Sequence, residues 1–141
     1  CISPQNSIDS EWFFDTIHPA KGDYFDAIEV APGVKANGKF TLGENIADLG
    51  GLLMALDAYR LSLKGQPSPI IDGLTGEQRV FLGWAQVWRG RIRDAALRNQ
   101  VLTDPHSPSL YRTNGTVRNM DTWYAAFGVT PAVRRRRRSK G

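Results

Sequence analysis

Apolar residues recur at helical spacing along this chain, most clearly between residues 41 and 63. The recurring positions are Leu42, Ile46, Leu49, Leu53, Leu56 and Leu63. They fall close to one face of a helix with 3.6 residues per turn. Thr41 suits an N-cap, and Glu44 stands three positions later, where a capping box places its reciprocal acid. The pattern predicts a long helix over residues 41–63.

Gly50 and Gly51 interrupt the middle of this predicted helix. A glycine in a helix interior costs about 1 kcal/mol relative to alanine. We therefore expect another backbone to approach the helix closely at this point.

Two further helices are predicted downstream. Thr75 and Gln78 form a second capping-box pattern, and apolar positions after it carry the helix to about residue 97 or 102. A shorter helix is predicted over residues 117–127, ending at Gly128. The intervening stretches, residues 64–73 and 104–115, are rich in proline, glycine and serine and are predicted to be loops.

The N-terminal part shows weaker patterns. Residues 10–17 could form a short helix, and residues 24–40 contain the turn signals Pro32-Gly33 and Asn37-Gly38 around a short extended connector. No alternating strand pattern of useful length is present, so the predicted fold class is mainly α.

The composition is that of one ordinary globular domain: 141 residues, 41% hydrophobic and 23% charged. The net charge of +4 is concentrated in residues 132–141, a tail predicted to be disordered. Arg134 to Arg138 and Lys140 supply six of the 18 basic residues, and the other 12 face 14 acidic ones, for a net charge of −2. A nucleic-acid-binding surface on the body of the chain is therefore not expected.

Cysteine content and hydropathy add little about location. Cys1 is the one cysteine, so no intrachain disulfide is possible. No stretch approaches the roughly 18 apolar residues of a membrane span, and no basic segment followed by an apolar run opens the chain as a signal peptide would.

Glu44 and Asp48 lie four residues apart, which places both carboxylates on one face of the predicted helix. Like charges at this spacing repel each other, so a nearby cation is expected. Two interpretations stay open. The acids could simply cap the helix and complement its dipole in the first turns, or they could belong to a functional site.

The surrounding residues closely resemble the third-ligand segment of the neprilysin and endothelin-converting-enzyme family of zinc metallopeptidases. That family carries a Glu-Asn-x-x-Asp motif on a helix. The matching residues run from Gly43 to Gly51 as Gly-Glu-Asn-Ile-Ala-Asp-Leu-Gly-Gly, after Pro32-Gly33-Val34, Asn37-Gly38 and Thr41-Leu42-Gly43. A distal segment is also similar: Asp104-Pro105-His106-Ser107-Pro108, then Arg112, Asn114-Gly115, Asn119 and Ala126-Phe127. The resemblance covers roughly residues 24–131, and residues 1–23 match poorly.

The resemblance implies the C-terminal part of the helical catalytic domain of a neprilysin-like (gluzincin, thermolysin-like) metallopeptidase. Glu44 would be the third protein ligand of one catalytic zinc ion. Asp48 would accept a hydrogen bond from a ligand histidine. His106 would stabilise the oxyanion of the tetrahedral intermediate, and Arg112 would hold a substrate backbone carbonyl.

Each of the distal residues also has a simpler interpretation. His106 could be a loop residue hydrogen-bonded to backbone. Arg112 could be a surface ion-pair partner, and Asp104 could only begin the loop turn. The residue types and spacing do not decide between these alternatives.

The sequence departs from the family pattern in one essential respect. The His-Glu-x-x-His helix, which would supply two zinc ligands and the general base, is absent from the residues before Glu44. His18 and His106 are not at ligand spacing, and Asp15 with His18 is interpreted as a helix end. We therefore expect a truncated catalytic domain that is inactive alone and that is marginally stable or oligomerises.

Two function classes follow. The first is a zinc metalloendopeptidase that cleaves oligopeptides, with peptide substrates and the missing N-terminal part of the catalytic domain as partners. Its parent enzyme would work outside the cytoplasm, membrane-anchored, periplasmic or secreted. The alternative is a noncatalytic helical binding module with a basic tail. An in-frame His-Glu-x-x-His motif in the upstream coding sequence would favour the first.

Overall fold

Helices dominate the computed structural model, which describes residues 29–130. Two short antiparallel strands come first, β1 (Glu29–Ala31) and β2 (Val34–Lys35). The helices that follow are α1 (Gly38–Ser62), α2 (Gly76–Val87), α3 (Asp94–Thr103), α4 (Ser109–Val117) and α5 (Asp121–Ala126). The predicted mainly α class is confirmed. The predicted helix over residues 10–17, His18 and the basic tail lie outside the described residues.

The β-hairpin fits the predicted turn at Pro32-Gly33. Gly33 has a φ of 74°, a left-handed conformation that glycine adopts without steric penalty. Its backbone N–H donates to Glu29 Oε1 at 2.8 Å. The two strands were missed because three and two residues are too few to show an alternating pattern.

Helix α1 begins earlier than predicted. Asn37 is its N-cap and accepts a hydrogen bond from the Phe40 backbone N–H at 2.9 Å. The Thr41 hydroxyl instead donates to the Asn37 carbonyl at 3.1 Å, so it lies inside the first turn. The predicted capping box of Thr41 and Glu44 is therefore wrong, because Asn37 satisfies the first turn before Thr41 is reached.

The core forms where α1 meets α2 and the segment that follows α4. Its buried members are Leu49, Leu52, Leu56, Phe81, Val117 and Met120. Leu53, which the periodicity placed on the inner face, is only partly buried, and Leu52 is buried in its place. Trp84, Trp123 and Phe127 are partly buried and pack around this cluster.

The capping box of α2 is confirmed, but its predicted length is wrong. Gln78 N donates to Thr75 Oγ1 at 3.2 Å, and Thr75 N donates to Gln78 Oε1 at 2.9 Å. The helix ends at Val87, and helix α3 starts anew at Asp94. The break contains Gly90, which disfavours a continuous helix.

The C-terminal helices also differ from the prediction. Residues 109–115 were predicted to be loop but form most of α4, which starts directly after its N-cap Pro108. The predicted helix over residues 117–127 shrinks to α5. Gly115 and Thr116 are buried, so tertiary packing overrides their low helix propensity. Gly128 ends the last helix as predicted, with a φ of 62°.

Gly50 and Gly51 face open space within the described structure. A Cβ atom built on either glycine meets no atom of residues 29–130 within 4 Å outside the helix backbone. The close backbone approach expected at this point is therefore not made by the described residues. Over the same range, none of the helices has the length and apolar character needed to cross a bilayer.

We predict that Leu56→Ala destabilises the chain far more than Leu61→Ala, although both change the same helix in the same way. Leu56 is 1% exposed and Leu61 is 78% exposed. Loss of the buried side chain should lower the free energy of unfolding by about 2–5 kcal/mol. The exposed substitution should stay within about 0.5 kcal/mol. Urea unfolding followed by far-UV circular dichroism measures both, and equal effects would contradict this packing.

Candidate metal and substrate site

Glu44 and Asp48 lie one turn apart on α1 but in different environments. The Glu44 side chain is 42% exposed, whereas that of Asp48 is 8% exposed. An accessible carboxylate can bind a ligand from outside, but a buried one needs a partner to offset its desolvation. The two acids are therefore suited to different tasks.

Asp48 is paired with Arg112 of α4. Arg112 Nε donates to Asp48 Oδ2 at 2.7 Å, and Arg112 Nη2 donates to Asp48 Oδ1 at 2.6 Å. This is the two-point geometry in which guanidinium and carboxylate bind most strongly. Arg112 is only 12% exposed, so the pair is largely shielded from water. Arg112 is the cation that the Glu44 and Asp48 spacing led us to expect.

The guanidinium of Arg112 also stacks on an aromatic ring. Its Cζ atom lies 3.8 Å from the centre of the Trp88 ring, within cation–π range. Trp88 in turn meets Trp84 edge-on, with ring centres 5.6 Å apart and planes at 71°. Three parts of the structure thus converge on Arg112: α1, α4 and the C-cap residue of α2.

His106 lies between two carboxylates. Its Nε2 is 3.0 Å from Glu44 Oε2, and its Nδ1 is 2.6 Å from Asp104 Oδ1. The same Asp104 oxygen accepts the His106 backbone N–H at 2.9 Å. That backbone bond, and then the imidazole bond, hold the pKa of Asp104 below its usual value. Both ring nitrogens donate together only when the imidazole is protonated.

The structure therefore brings all four predicted site residues together. Glu44 meets His106, and one turn further along α1 Asp48 meets Arg112. Arg112 forms an ion pair with Asp48, as its simpler interpretation proposed. The pair is largely buried and not on the surface. The simpler interpretation of His106 was a loop residue hydrogen-bonded to backbone, but both ring nitrogens contact carboxylates. The chemical roles assigned to the four residues stay predictions.

Next to Glu44 and His106 in the sequence, two fully buried polar atoms have no partner within residues 29–130. They are Oδ1 of Asn45 and Oγ of Ser107. The other end of the Asn45 amide is satisfied, because Nδ2 donates to Thr41 Oγ1 at 3.1 Å. Buried polar atoms nearly always have a partner, so polypeptide outside this range, or ordered water, is expected to supply one.

The described residues offer part of a zinc-binding set. Glu44 provides a carboxylate, a ligand type that zinc accepts. Among residues 29–130, no group of three or more histidine, cysteine, aspartate or glutamate side chains is arranged to hold a metal ion. A catalytic zinc takes three protein ligands. The donor chemistry of Glu44 fits zinc, but a complete site would need further ligands from outside residues 29–130.

Sequence reasoning missed two residues of this cluster. Asp104 was considered only as a turn residue, although an aspartate two positions before a histidine is a signal that the two side chains can meet. Trp88 was not singled out from the sequence. No sequence signal connects it with Arg112, because the contact depends on where α2 ends.

Comparison with known proteins identifies the family of the chain. The sequence profile of peptidase family M13 matches residues 9–140. The chain belongs to peptidase family M13. This M13 chain is 42% identical to neprilysin-1 of Caenorhabditis elegans over 99 residues, which are 67% of the chain and 13% of that protein. It is 42% identical to mouse endothelin-converting enzyme 1 over 103 residues, 70% of the chain and 13% of that enzyme.

Solved structures agree with this membership. The zinc metalloprotease Zmp1 of Mycobacterium tuberculosis, in complex with an inhibitor, superposes with a TM-score of 0.80 at 49% identity. That match covers 86% of the M13 chain and 19% of Zmp1. The open state of Zmp1 superposes with a TM-score of 0.81 at 47% identity and covers 91% of the chain. The chain thus spans about an eighth to a fifth of its relatives' length.

We predict strong coupling between Asp48 and Arg112 in a double-mutant cycle. Asp48→Ala or Arg112→Ala alone should lower the free energy of unfolding by about 3–5 kcal/mol, because each leaves a buried charge uncompensated. The double variant should lose much less than the sum of the two losses. Unfolding is followed in a stabilising osmolyte so that weak variants stay folded.

The exposed pair of Arg60 and Glu77 serves as the control cycle. Its shortest contact is also 2.7 Å, but the side chains are 42% and 30% exposed. Its coupling should be about 0.2–1 kcal/mol. Additive losses at Asp48 and Arg112 would show that the buried pair does not act as a unit.

Proposed function

We propose that the chain supplies one side of the catalytic site of a zinc metalloendopeptidase, which cleaves peptide bonds of oligopeptides. The main support is the arrangement of an accessible Glu44 beside His106, with the buried Asp48–Arg112 pair one turn away. Membership of peptidase family M13 agrees with this reaction class.

Glu44 would hold the zinc ion from α1. A bound zinc ion supplies a Lewis acid for the scissile carbonyl and lowers the pKa of a water molecule so that it can act as nucleophile. Two further ligands and a general base would come from polypeptide outside the chain. The unpartnered Asn45 Oδ1 and Ser107 Oγ support the idea that further polypeptide covers this surface.

Asp48 would act on two partners at once. Arg112 occupies one acceptor site on each Asp48 carboxylate oxygen, and an ionised carboxylate has about four such sites. Asp48 can therefore also accept the free ring N–H of a zinc-ligand histidine. Such a bond fixes the tautomer and orientation of the ligand.

His106 would donate to the oxygen that becomes negative during peptide hydrolysis. Asp104 holds the ring through Nδ1, so Nε2 points toward the Glu44 side chain, on the side where the substrate carbonyl would lie. A donor held in place before the reaction stabilises developing charge without reorganisation.

Arg112 would bind a backbone carbonyl of the peptide. Its bonds to Asp48 use Nε and Nη2, and within the described part of the chain Nη1 stays available as a donor.

We further propose that the chain alone is inactive and that its parent enzyme acts outside the cytoplasm.

The test uses the chain extended by its upstream coding sequence through a His-Glu-x-x-His segment. We predict that the extended protein binds one zinc ion and cleaves an internally quenched fluorescent peptide. Glu44→Ala should lose both the zinc ion and activity, because one of three protein ligands is removed. Zinc content is measured by mass spectrometry of the dialysed protein, and activity by fluorescence.

Glu77→Ala is the matched control, since it removes a glutamate from the first turn of α2, at the Arg60 ion pair. It should keep both zinc and activity. An extended Glu44→Ala protein that retains its zinc would contradict the assignment of Glu44. An extended wild-type protein that binds no zinc and cleaves no peptide would contradict the proposed function as a whole.

A further inference from the structure

The position of the Arg112 guanidinium depends on more than its salt bridge. We propose that Trp88 is a positioning residue for Arg112: its ring holds the guanidinium plane so that the Nη1 donors face the substrate side. The statement about the substrate side rests on the proposed function, whereas the contact between Trp88 and Arg112 is independent of it.

Asp48 and Trp88 restrain Arg112 in complementary directions. Asp48 binds one edge of the guanidinium through Nε and Nη2 at 2.7 and 2.6 Å. Trp88 covers one face, with Cζ 3.8 Å from the ring centre. A salt bridge along one edge still permits the plane to tilt about that edge, and a ring against the face prevents the tilt. The edge of the guanidinium that carries Nη1 takes no part in the bonds to Asp48.

Shielding from water strengthens this contact. Cation–π attraction is small at exposed sites and larger where the cation is desolvated. Arg112 is only 12% exposed, so its stacking on Trp88 belongs to the stronger class.

Within residues 29–130, hydrogen bonding does not account for a tryptophan at position 88. Its indole N–H is buried and has no acceptor within residues 29–130, and the same holds for Trp84. An unpaired buried donor is unfavourable. Within this range, the Trp88 ring meets Trp84 edge-on and lies against the Arg112 cation. Tryptophan offers the best ring for a cation, which explains its use here.

The position of Trp88 depends on where α2 ends. Trp88 is the C-cap of α2, with φ −93° and ψ 3°, just beyond the last helical residue. Arg112 lies in the first turn of α4, and Asp48 in the third turn of α1. The stack therefore fixes the end of α2 to the ion pair that joins α1 and α4.

The experiment observes the Arg112 Nε–H signal by proton–nitrogen NMR of the 141-residue chain, assigned by its loss in Arg112→Lys. In the wild-type chain the signal should be shifted upfield by the indole ring and exchange slowly with solvent. Trp88→Leu should abolish the upfield shift and speed exchange about tenfold, because the stacked face is opened to water. Trp88→Phe keeps a ring and should retain part of the shift.

Trp123→Phe is the matched control, because Trp123 packs on Tyr124 and Phe127 instead. It should leave the Arg112 signal unchanged. If Trp88→Leu does not fold, a reduced shift in a folded Trp88→Phe chain supports the proposal. An Arg112 signal that is the same in the wild type and in either folded Trp88 variant overturns it. The measurement needs no zinc and no activity, so its outcome is independent of the test of Glu44.

Discussion

The buried ion pair between Asp48 and Arg112 is the interaction on which the rest of the site depends. It joins α1 to α4 through two short bonds in a place largely shielded from water. Either charge alone would be strongly destabilising there, so the two helices are held in one register. Glu44 precedes Asp48 by one turn, and His106 precedes α4, so the same register brings Glu44 and His106 into contact.

This arrangement separates two tasks between two pairs of residues. The Asp48–Arg112 pair, with the Trp88 ring against the guanidinium, is largely buried, as a structural support requires. The Glu44–His106 pair is about two-fifths exposed, as the proposed contacts with a metal ion and a substrate require. Asn45 Oδ1 and Ser107 Oγ lie buried beside the exposed pair without partners in the described structure. That combination fits a catalytic surface that more of the polypeptide completes.

Local sequence signals correctly predicted those helices and helix ends that depend on interactions between residues close in the sequence. The Thr75 capping box, the stop at Gly128 and the long helix that carries Glu44 and Asp48 are of this kind. A family resemblance alone indicated the four candidate site residues, and it did not reveal the pairing of Asp104 with His106. The start of α4 and the Trp88 stack escaped prediction, because burial and long-range contacts decide them.

The most direct test of the account is zinc titration of the 141-residue chain by isothermal calorimetry, beside Glu44→Ala. We propose Glu44 as one ligand of a site whose other ligands lie outside the chain. This proposal predicts no zinc site tighter than about micromolar in either protein, since one ligand of the usual three or four is present. Tight one-to-one binding that disappears in Glu44→Ala would contradict it, because the chain would then build a complete site of its own.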